Sequence, residues 1–227
     1  MSNKDKKRVL VIAPHPDDEV LGCGGISLRY AAEGHEVSVL VMSRGKPGLY
    51  SEESINNVRG EALRAHKELG VKKTLFLDYP APELDLHSVS ELAASIGSVI
   101  KDLGITVLYV PHRGDIHHDH RAVYNAALVA SRPTGGCTVS EIYAYETLSE
   151  TEWAAPFGDD VFIPTCFVDI SDYMDSKLRA MQCYKSQVLE FPSLRSIKAI
   201  EALAQYRGVT VGCFFAEAFM HVRTIRR

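Results

Sequence analysis

Two short polar segments of this sequence contain residue types that bind metal ions and transfer protons. The first is His15-Pro16-Asp17-Asp18-Glu19, which places one imidazole beside three carboxylates. Adjacent carboxylates repel each other unless one is protonated or a cation lies close to them. Because histidine and aspartate are common ligands of zinc and similar divalent metals, this segment is a candidate metal site. The alternative is that Asp17 or Asp18 only caps the helix that follows.

The second segment is Asp115-Ile116-His117-His118-Asp119-His120, which contains three of the nine histidines of the chain. It follows the apolar run Val107–Pro111 and precedes residues Arg121 to Leu128, whose pattern predicts a helix. The alternative is a histidine-rich surface tract. Such a tract rarely lies at a strand end opposite a matching acidic cluster, so the two segments together predict one site.

Each segment follows a predicted buried strand. Val9–Ala13 is short, apolar and rich in β-branched residues, as in parallel strands covered on both faces. It ends at Pro14 and Pro16, which cannot continue a hydrogen-bonded ladder. In open α/β sheets, ligands bind in the crevice beyond the carboxyl ends of the strands, and we expect both segments there.

Strands and helices alternate along most of the chain. Predicted strands are Val9–Ala13, a strand ending near Met42, Thr74–Tyr79, Val107–Pro111, Ile142–Glu146 and Val161–Ile170. Predicted helices are about Leu21–Glu33, Ser51 to Leu69, Val89–Leu103, Arg121 to Leu128, Ser171–Ser186 and Ser193–Tyr206. This order predicts an α/β fold, Rossmann-like with three α/β/α layers and a mostly parallel sheet, and additional strands and helices in the C-terminal part. The 227 residues, 46% of them hydrophobic, suit one domain over 1–227.

Composition excludes several classes of partner. The formal net charge of −4 argues against nucleic acid and anionic membranes as partners. No apolar stretch approaches the ~20 residues of a membrane span, and Met1 to Arg8 lacks the apolar core of a signal peptide. The five cysteines form no CxxC pair, which is typical of reduced thiols. We therefore expect a cytoplasmic protein.

Three glycines, Gly22, Gly24 and Gly25, follow the first segment without forming a dinucleotide-binding motif. The GxGxxG pattern requires a third glycine where this chain has Ser27. The preceding carboxylates would also repel a pyrophosphate. We expect these glycines to let the first helix approach the sheet closely.

The two segments, PHPDDE after the first strand and HxDH after a later one, resemble the LmbE/PIG-L family of zinc-dependent N-acetylglucosaminyl deacetylases. The resemblance extends from about Val9 to the C-terminus and departs at His118, where proline is frequent. It implies a Rossmann-like fold and removal of the acetyl group from an N-acetylglucosamine-type sugar or conjugate. It also implies a homo-oligomer.

The resemblance implies a role for each matching position. Zn²⁺, or Fe²⁺, would be held by three residues, His15, Asp18 and His120. Asp17 would accept a proton from water, and His117 would stabilise the oxyanion or protonate the leaving amine. Asp119 would hydrogen-bond an imidazole and fix its tautomer.

Outside the two segments, the resemblance singles out Arg59 as a substrate-binding residue, although helical spacing alone predicts a solvated side chain there. Tyr145-Glu146, Lys177 and Gln187 also match family positions, without an assigned role. Lys177 and Gln187 belong to types that are usually exposed, and we expect both at the surface.

Two other functions also fit these residues. His15 and Asp17 with a distant histidine match the two-His-one-carboxylate site of a non-haem Fe(II) oxygenase. That assignment leaves Asp18 and His117 without a role, and such sites are expected on β-barrels. The third hypothesis is a non-catalytic carbohydrate-binding module.

Overall fold

The chain folds around one sheet whose central strands are parallel. The computed structural model describes residues 6–226, so the first five residues of the predicted polar leader lie outside the described residues. In residues 6–226 the sheet has seven strands: β1 (Arg8–Ala13), β2 (Glu36–Gly45), β3 (Lys73–Ala81), β4 (Val107–Pro111), β5 (Glu141–Tyr145), β6 (Cys166–Asp169) and β7 (Ala216–Thr224). Their order is β3-β2-β1-β4-β5-β7-β6. Strands β1 to β5 pair in parallel, and β7 is antiparallel to both β5 and β6.

Helices cover both faces of this sheet. The six α-helices of the described range are α1 (Asp18–Ala32), α2 (Glu52–Glu68), α3 (Val89–Leu103), α4 (His118–Ala130), α5 (Met174–Gln182) and α6 (Ile197–Val209). Leu10 and Ile12 of β1 pack in a buried cluster with residues of α3 and α4. Val9 and Val11 point to the opposite face and pack with residues of α1. This alternation confirms the predicted three-layer α/β/α architecture. Within residues 6–226, no helix has the length and apolar character needed to cross a membrane.

The strand order creates a crevice between β1 and β4. The connection through α1 leads from β1 to β2 on one side, whereas β4 pairs with β1 on the other side. The crevice outside the carboxyl ends of two strands whose connections diverge is the usual ligand site of such sheets. Both polar segments follow these two strands, as predicted.

Two helices begin earlier than predicted, with consequences for the site. α1 begins at Asp18 instead of Leu21, and α4 begins at His118 instead of Arg121. Asp18 and Glu19 therefore lie in the first turn of α1, and Asp119 and His120 lie in the first turn of α4, close to the crevice. The predicted bounds of α3 and β4 are confirmed.

The C-terminal elements are shorter than predicted. The predicted strand Val161–Ile170 is wrong in its first half, since β6 begins only at Cys166 and pairs with β7 alone. Pro164 precedes it and has no N–H to donate to a ladder. The predicted helix Ser171–Ser186 is a 3-10 turn followed by α5, which ends at Gln182. The predicted helix Ser193–Tyr206 begins at Ile197, where the Ser196 side chain caps it.

Glycines allow α1 to pack closely on the sheet, as predicted. A Cβ atom at Gly22 would lie 2.2 Å from Cδ2 of Tyr145, and one at Gly25 would lie 2.6 Å from Cγ2 of Ile170. Both distances are shorter than any ordinary carbon contact. Tyr145 is itself fixed, because its hydroxyl donates to the carbonyl of Ile12 at 2.8 Å.

A buried ion pair between α5 and β7 contacts the backbone in the middle of α1. Lys177 is 3% exposed, so the prediction that it lies at the surface is wrong. Its Nζ donates to Glu217 at 2.6 Å and to the carbonyl oxygen of Leu21 at 2.8 Å. The Glu217 carboxylate also accepts the backbone N–H groups of Gly25 and Ile26. Lysine is buried here because each of these polar groups has a partner.

Candidate active site

The loop between β1 and α1 holds the first segment in an unusual backbone conformation. Asp17 has a φ of 105°, in the left-handed region that residues other than glycine rarely adopt. Its carbonyl oxygen accepts the first N–H bonds of α1, from Val20 and Leu21. The Asp18 side chain accepts the N–H of His15 at 2.9 Å. Hydrogen bonds within the loop thus fix its shape. The carboxylates of Asp17 and Asp18 point in different directions.

The loop between β4 and α4 places the second segment opposite the first. His117 caps α4, because its Nδ1 accepts the N–H of Asp119 at 3.1 Å. A neutral imidazole that accepts at Nδ1 carries its proton on Nε2. Asp119 and His120, in the first turn of α4, are fully buried.

Three residues from the two segments converge as a potential metal site. Ligand atoms of His15, Asp18 and His120 all lie within 4.8 Å of one another. Oδ2 of Asp18 lies 3.5 Å from Nδ1 of His15 and 3.3 Å from Nε2 of His120. In the described part of the chain, Asp18 Oδ1 and His120 Nε2 are buried and make no hydrogen bond. Buried polar atoms normally have partners, and this donor set suits a divalent cation.

A second group of potential ligands, His15, His117 and Asp119, also lies within 4.8 Å. Both carboxylate oxygens of its Asp119 are already engaged. Asp119 Oδ2 pairs with Nε2 of His15 at 2.9 Å, and Asp119 Oδ1 accepts the N–H of Leu84 at 2.9 Å. The first group is therefore the better metal site.

Each histidine of that first group is oriented by a carboxylate behind it. Asp119 binds Nε2 of His15, and Asp115 lies 2.8 Å from Nδ1 of His120. If both imidazoles donate through these nitrogens, Nδ1 of His15 and Nε2 of His120 are left as lone-pair donors toward Asp18. The other oxygen of Asp115 accepts from Thr151 at 2.6 Å. Asp119 thus makes the imidazole contact predicted for it, and Asp115 supplies an equivalent one.

Without a metal ion, the surrounding carboxylates favour the protonated form of His15 and His120, and a bound cation would replace these protons. Burial lowers the pKa of His15, but its hydrogen bonds to Asp119 and Asp18 outweigh burial and raise the pKa to about 9. Burial acts in the same way on His120, whose pKa is raised well above the usual range by Asp18 and Asp115. Burial and the nearby charge of His15 lower the pKa of His117 to about 4. His117 is therefore neutral at pH 7, in agreement with its role as a backbone acceptor.

Asp17 does not belong to the metal group, because its carboxylate binds an arginine. Its Oδ2 accepts from Nη1 of Arg195 at 3.1 Å. Burial raises the pKa of Asp17 to about 8, although the charge of Arg195 acts in the opposite direction. The Asp17 side chain is 1% exposed. The two adjacent carboxylates of the motif thus have different partners, histidines for Asp18 and Arg195 for Asp17.

A buried hydrogen-bond network centred on Glu19 supports the backbone of Asp17. Glu19 Oε2 accepts the N–H of Asp17 at 3.1 Å. Glu19 Oε1 accepts the hydroxyl of Tyr184 at 2.6 Å and lies 3.1 Å from Nε2 of His66. Because Glu19 has partners on α2 and just after α5, it ties the loop to the helical layer.

A cavity of about 230 Å³ opens beside these groups, and we call it the active-site cavity. His15, Asp17 and His117 of the two polar segments line it. Its walls are formed by Pro16, Ser43, Arg44, Gly45, Tyr50, Ser54, Ile55, Val58, Arg59, Ala81, Pro82, Glu150, Gln187 and Arg195. A cavity of this size with a few polar groups suits a small molecule.

Arg59 lines this cavity, as its predicted role requires. Its Nη2 donates to the carbonyl of Leu77 at 2.9 Å and to Asp78 at 2.7 Å. Its guanidinium lies over the ring of Phe76, 5.0 Å from the centroid. The side chain is therefore fixed in place and does not lie on a solvated helix face.

His118 and Gln187, which sequence analysis singled out, lie in different surroundings. His118 is 75% exposed and faces away from the metal group. Gln187 is half-buried and lines the cavity, where it accepts from Arg195 at 3.0 Å. Arg195 and Glu150 are cavity residues that sequence analysis did not identify. Arg195 is 178 positions from Asp17, and its neighbourhood contains no chemical motif.

Comparison with known proteins places the chain in a family. The family model described as "PIG-L: GlcNAc-PI de-N-acetylase" matches residues 10–131. That range contains both polar segments of the site. The chain belongs to the PIG-L family.

Similar proteins match between 82% and 97% of this chain. An uncharacterized deacetylase, YaiS, of Escherichia coli (strain K12) is 32% identical over 82% of this chain and 94% of its own. Diacetylchitobiose deacetylase of Thermococcus kodakarensis is 30% identical over 96% and 84%. The solved structure of N,N'-diacetylchitobiose deacetylase from Pyrococcus horikoshii has a TM-score of 0.77 and 25% identity, over 97% of this chain and 85% of that one.

PIG-L family membership decides among the three hypotheses. Both curated relatives are named as deacetylases, which hydrolyse amides. The oxygenase hypothesis assigned a metal to Asp17, whereas Asp18 lies beside the histidines and Asp17 pairs with Arg195. The deacetylase interpretation therefore fits better than an oxygenase or a carbohydrate-binding module.

Proposed function

We propose that this chain is a hydrolase that removes the N-acetyl group from an N-acetylglucosamine-type sugar or conjugate. It releases acetate and a free amine, with Zn²⁺ as its metal. Fe²⁺ fits the same ligand set. The convergence of His15, Asp18 and His120, next to a cavity that His15 and Asp17 line in a chain of the PIG-L family, carries this proposal.

The metal would be held by the three converging residues. Bound there, it would supply Lewis acidity toward the acetamide carbonyl and lower the pKa of water to about 7. Two neutral imidazoles and one carboxylate leave the ion with net positive charge, which this chemistry requires. Asp119 and Asp115 keep the two imidazoles in the ligating tautomer.

Asp17 is proposed as the general base, because a cation held by the neighbouring Asp18 would oppose the burial that raises the pKa of Asp17 and would favour its ionised form. Its Oδ1 accepts the proton of the attacking water while the water oxygen bonds to the carbonyl carbon. When the C–N bond breaks, the protonated carboxyl returns that proton to the leaving nitrogen. The carbonyl carbon leaves as acetate, and the sugar retains a free amine.

His117 is proposed as the donor to the carbonyl oxygen. Its Nδ1 is engaged by the N–H of Asp119, so its proton lies on Nε2. The low pKa of His117 favours a neutral donor over a general acid. A fixed donor at the developing oxyanion lowers the barrier because it needs no reorganisation.

The substrate would be a small amino sugar with Arg59 among its contacts. The diacetylchitobiose deacetylases among the similar proteins provide a substrate analogy. We further propose a cytoplasmic homo-oligomer made of one domain per chain, with no nucleic-acid or membrane partner.

Primary-amine release from a panel of N-acetylglucosamine conjugates tests the function. The panel contains N,N'-diacetylchitobiose, a glycoside with a polyol and an anionic conjugate, each assayed with zinc and after chelation. We expect chelator-sensitive release of one amine per acetate from at least one member. Asp17→Asn is the inactive control, since it removes the base and leaves the shape of the active-site cavity unchanged.

Two results would contradict the proposal. Release that persists in a protein shown to hold no metal would exclude metal assistance. Dioxygen consumption with a 2-oxoacid, without acetate formation, would favour the oxygenase.

A further inference from the structure

We infer that Arg195 positions Asp17 for proton transfer, by holding one carboxylate oxygen and leaving the other free for the attacking water. This inference rests on the proposed function, in which Asp17 is the general base. Arg195 lies outside residues 10–131, the range that the family model matches.

The two oxygens of Asp17 have different surroundings. Oδ2 accepts from Nη1 of Arg195 at 3.1 Å. Oδ1 is buried and, among residues 6–226, has no hydrogen-bond partner. A carboxylate with one engaged and one open oxygen presents a single lone-pair direction, which is what a base needs for an aligned proton transfer.

Arg195 is itself fixed by two loops. Its Nε donates to Oγ of Ser149 at 3.0 Å, and its Nη1 also donates to Oε1 of Gln187 at 3.0 Å. Ser149 follows β5 and has a φ of 73°, and Gln187 follows α5. Because the guanidinium is planar, contacts at Nε and Nη1 fix its orientation as well as its position. Lysine, a single point of charge on a flexible chain, cannot reproduce both.

The main chain of Asp17 is held independently of Arg195. Glu19 accepts its N–H, and its carbonyl oxygen accepts the first two N–H bonds of α1. Asp18 is bound to the N–H of His15 in the same loop. Removing Arg195 therefore releases the Asp17 side chain and leaves the loop and its metal ligands in place.

The first test compares Arg195→Ala and Arg195→Lys with wild type. For Arg195→Ala we expect kcat to fall about 10–100-fold with KM within threefold, because misplacing a catalytic group by about 1 Å has effects of this size. Metal content should match wild type. Added guanidinium ion should restore part of the kcat of Arg195→Ala. Arg195→Lys should retain an intermediate kcat.

The matched control is Arg179→Ala, which removes an exposed guanidinium from α5 that donates to Ser176. We expect wild-type kinetics and no response to guanidinium. A rise in KM at unchanged kcat in Arg195→Ala would overturn the inference and make Arg195 a substrate-binding residue. Loss of metal from Arg195→Ala would also overturn it.

A double-mutant cycle separates positioning from general support of the fold. In the Asp17→Asn background, Arg195→Ala should lower the residual kcat by less than threefold, because the group that it positions has lost its function. A further loss equal to that seen in wild type would show that Arg195 acts independently of Asp17.

Crystal structures provide a readout that does not depend on finding the substrate. In Arg195→Ala we expect the Asp17 side chain in a new rotamer or in several, with His15, Asp18 and His120 unmoved. An unchanged Asp17 side chain would overturn the inference. A wild-type enzyme inactive on every amide, combined with a displaced Asp17 in Arg195→Ala, would count against the proposed function and not against the role of Arg195.

Discussion

Asp115 and Asp119 each hold one imidazole of the proposed metal site, although only Asp119 was expected to do so. Asp115 is fully buried and binds both His120 and Thr151. Carboxylates in this position fix the tautomer of a metal-binding histidine and increase its basicity. We therefore expect these two carboxylates to contribute to metal affinity.

Asp115→Ala tests this contribution. We expect the metal affinity to fall about 10–100-fold, as is usual when such a partner is removed. Competition titration with a chromophoric chelator measures it. His118→Ala is the matched control, because this imidazole of the same polar segment is exposed and its removal should leave the affinity unchanged. Equal losses in both variants would contradict the assignment.

Asp17→Asn and His120→Ala should separate base from ligand. Asp17→Asn should keep its metal and lose about 10²–10⁴-fold in kcat, which is typical for loss of a general base. His120→Ala should lose its metal as well. Metal per chain and kcat are measured on the same samples. If Asp17→Asn emptied the site while Asp18→Asn left it filled, the two roles would be exchanged.

At the residue scale, the sequence predicts the site where its members are adjacent in the chain. His15, Asp17 and Asp18 share one loop, so their proximity follows from chain connectivity. Arg195 reaches the same place from a distant loop, and its contact with Asp17 depends on the packing of α5 and α6. No local pattern encodes such a contact.

At the scale of elements, the close packing of α1 against its neighbours depends on glycines. Gly22→Ala should lower the free energy of unfolding by about 1–3 kcal/mol, because its Cβ would overlap the Tyr145 ring. Gly97→Ala is the control. Gly97 lies inside α3, and a Cβ there would meet Ala130 at an ordinary 3.9 Å. It should stabilise by about 0.5–1 kcal/mol, since alanine favours helices over glycine. Urea unfolding of both variants measures the difference.

The ion pair that contacts the backbone of α1 gives a second prediction for this element. Lys177→Met should destabilise the protein by about 3–5 kcal/mol, because it leaves the Glu217 carboxylate buried without its cation. Adding Glu217→Gln should recover part of the loss. Chemical denaturation of the single and double variants measures both effects. A single variant as stable as wild type would show that backbone N–H groups alone satisfy Glu217.

Element positions were predictable where the pattern is strongly periodic. α3 has serine and glycine caps, Ser88 and Gly104, and its predicted bounds are confirmed. β6 is a short edge strand that pairs only with β7, so its length depends on a partner about 50 residues later. The sequence of β6 carries little of that information.

At the scale of the whole molecule, the metal should stabilise the fold. A ligand that binds only the native state adds about 2.7 kcal/mol at 100 times its Kd. We therefore expect zinc to raise the Tm of metal-depleted wild type by several degrees, measured by scanning calorimetry. His120→Ala should show no such rise. An equal rise in both would place the bound zinc elsewhere.

The three-layer architecture was predictable because alternation of strands and helices constrains topology. The antiparallel insertion of β7 was not, since the sequence pattern of Ala216–Thr224 resembles that of any half-buried strand. Its place between β5 and β6 is set by the long-range pairing of both neighbours.

That insertion has a consequence for synthesis on the ribosome. Of the strands in residues 6–226, β7 emerges last, yet it lies inside the sheet. Until it arrives, β5 is an open edge and β6 has no place to pair. Glu217, the partner of Lys177, is part of β7, so its hydrogen bonds to the backbone of α1 also form only after β7 is synthesised. A nascent chain stalled before Ala216 therefore exposes an unpaired edge, the usual target of chaperones and the usual start of aggregation.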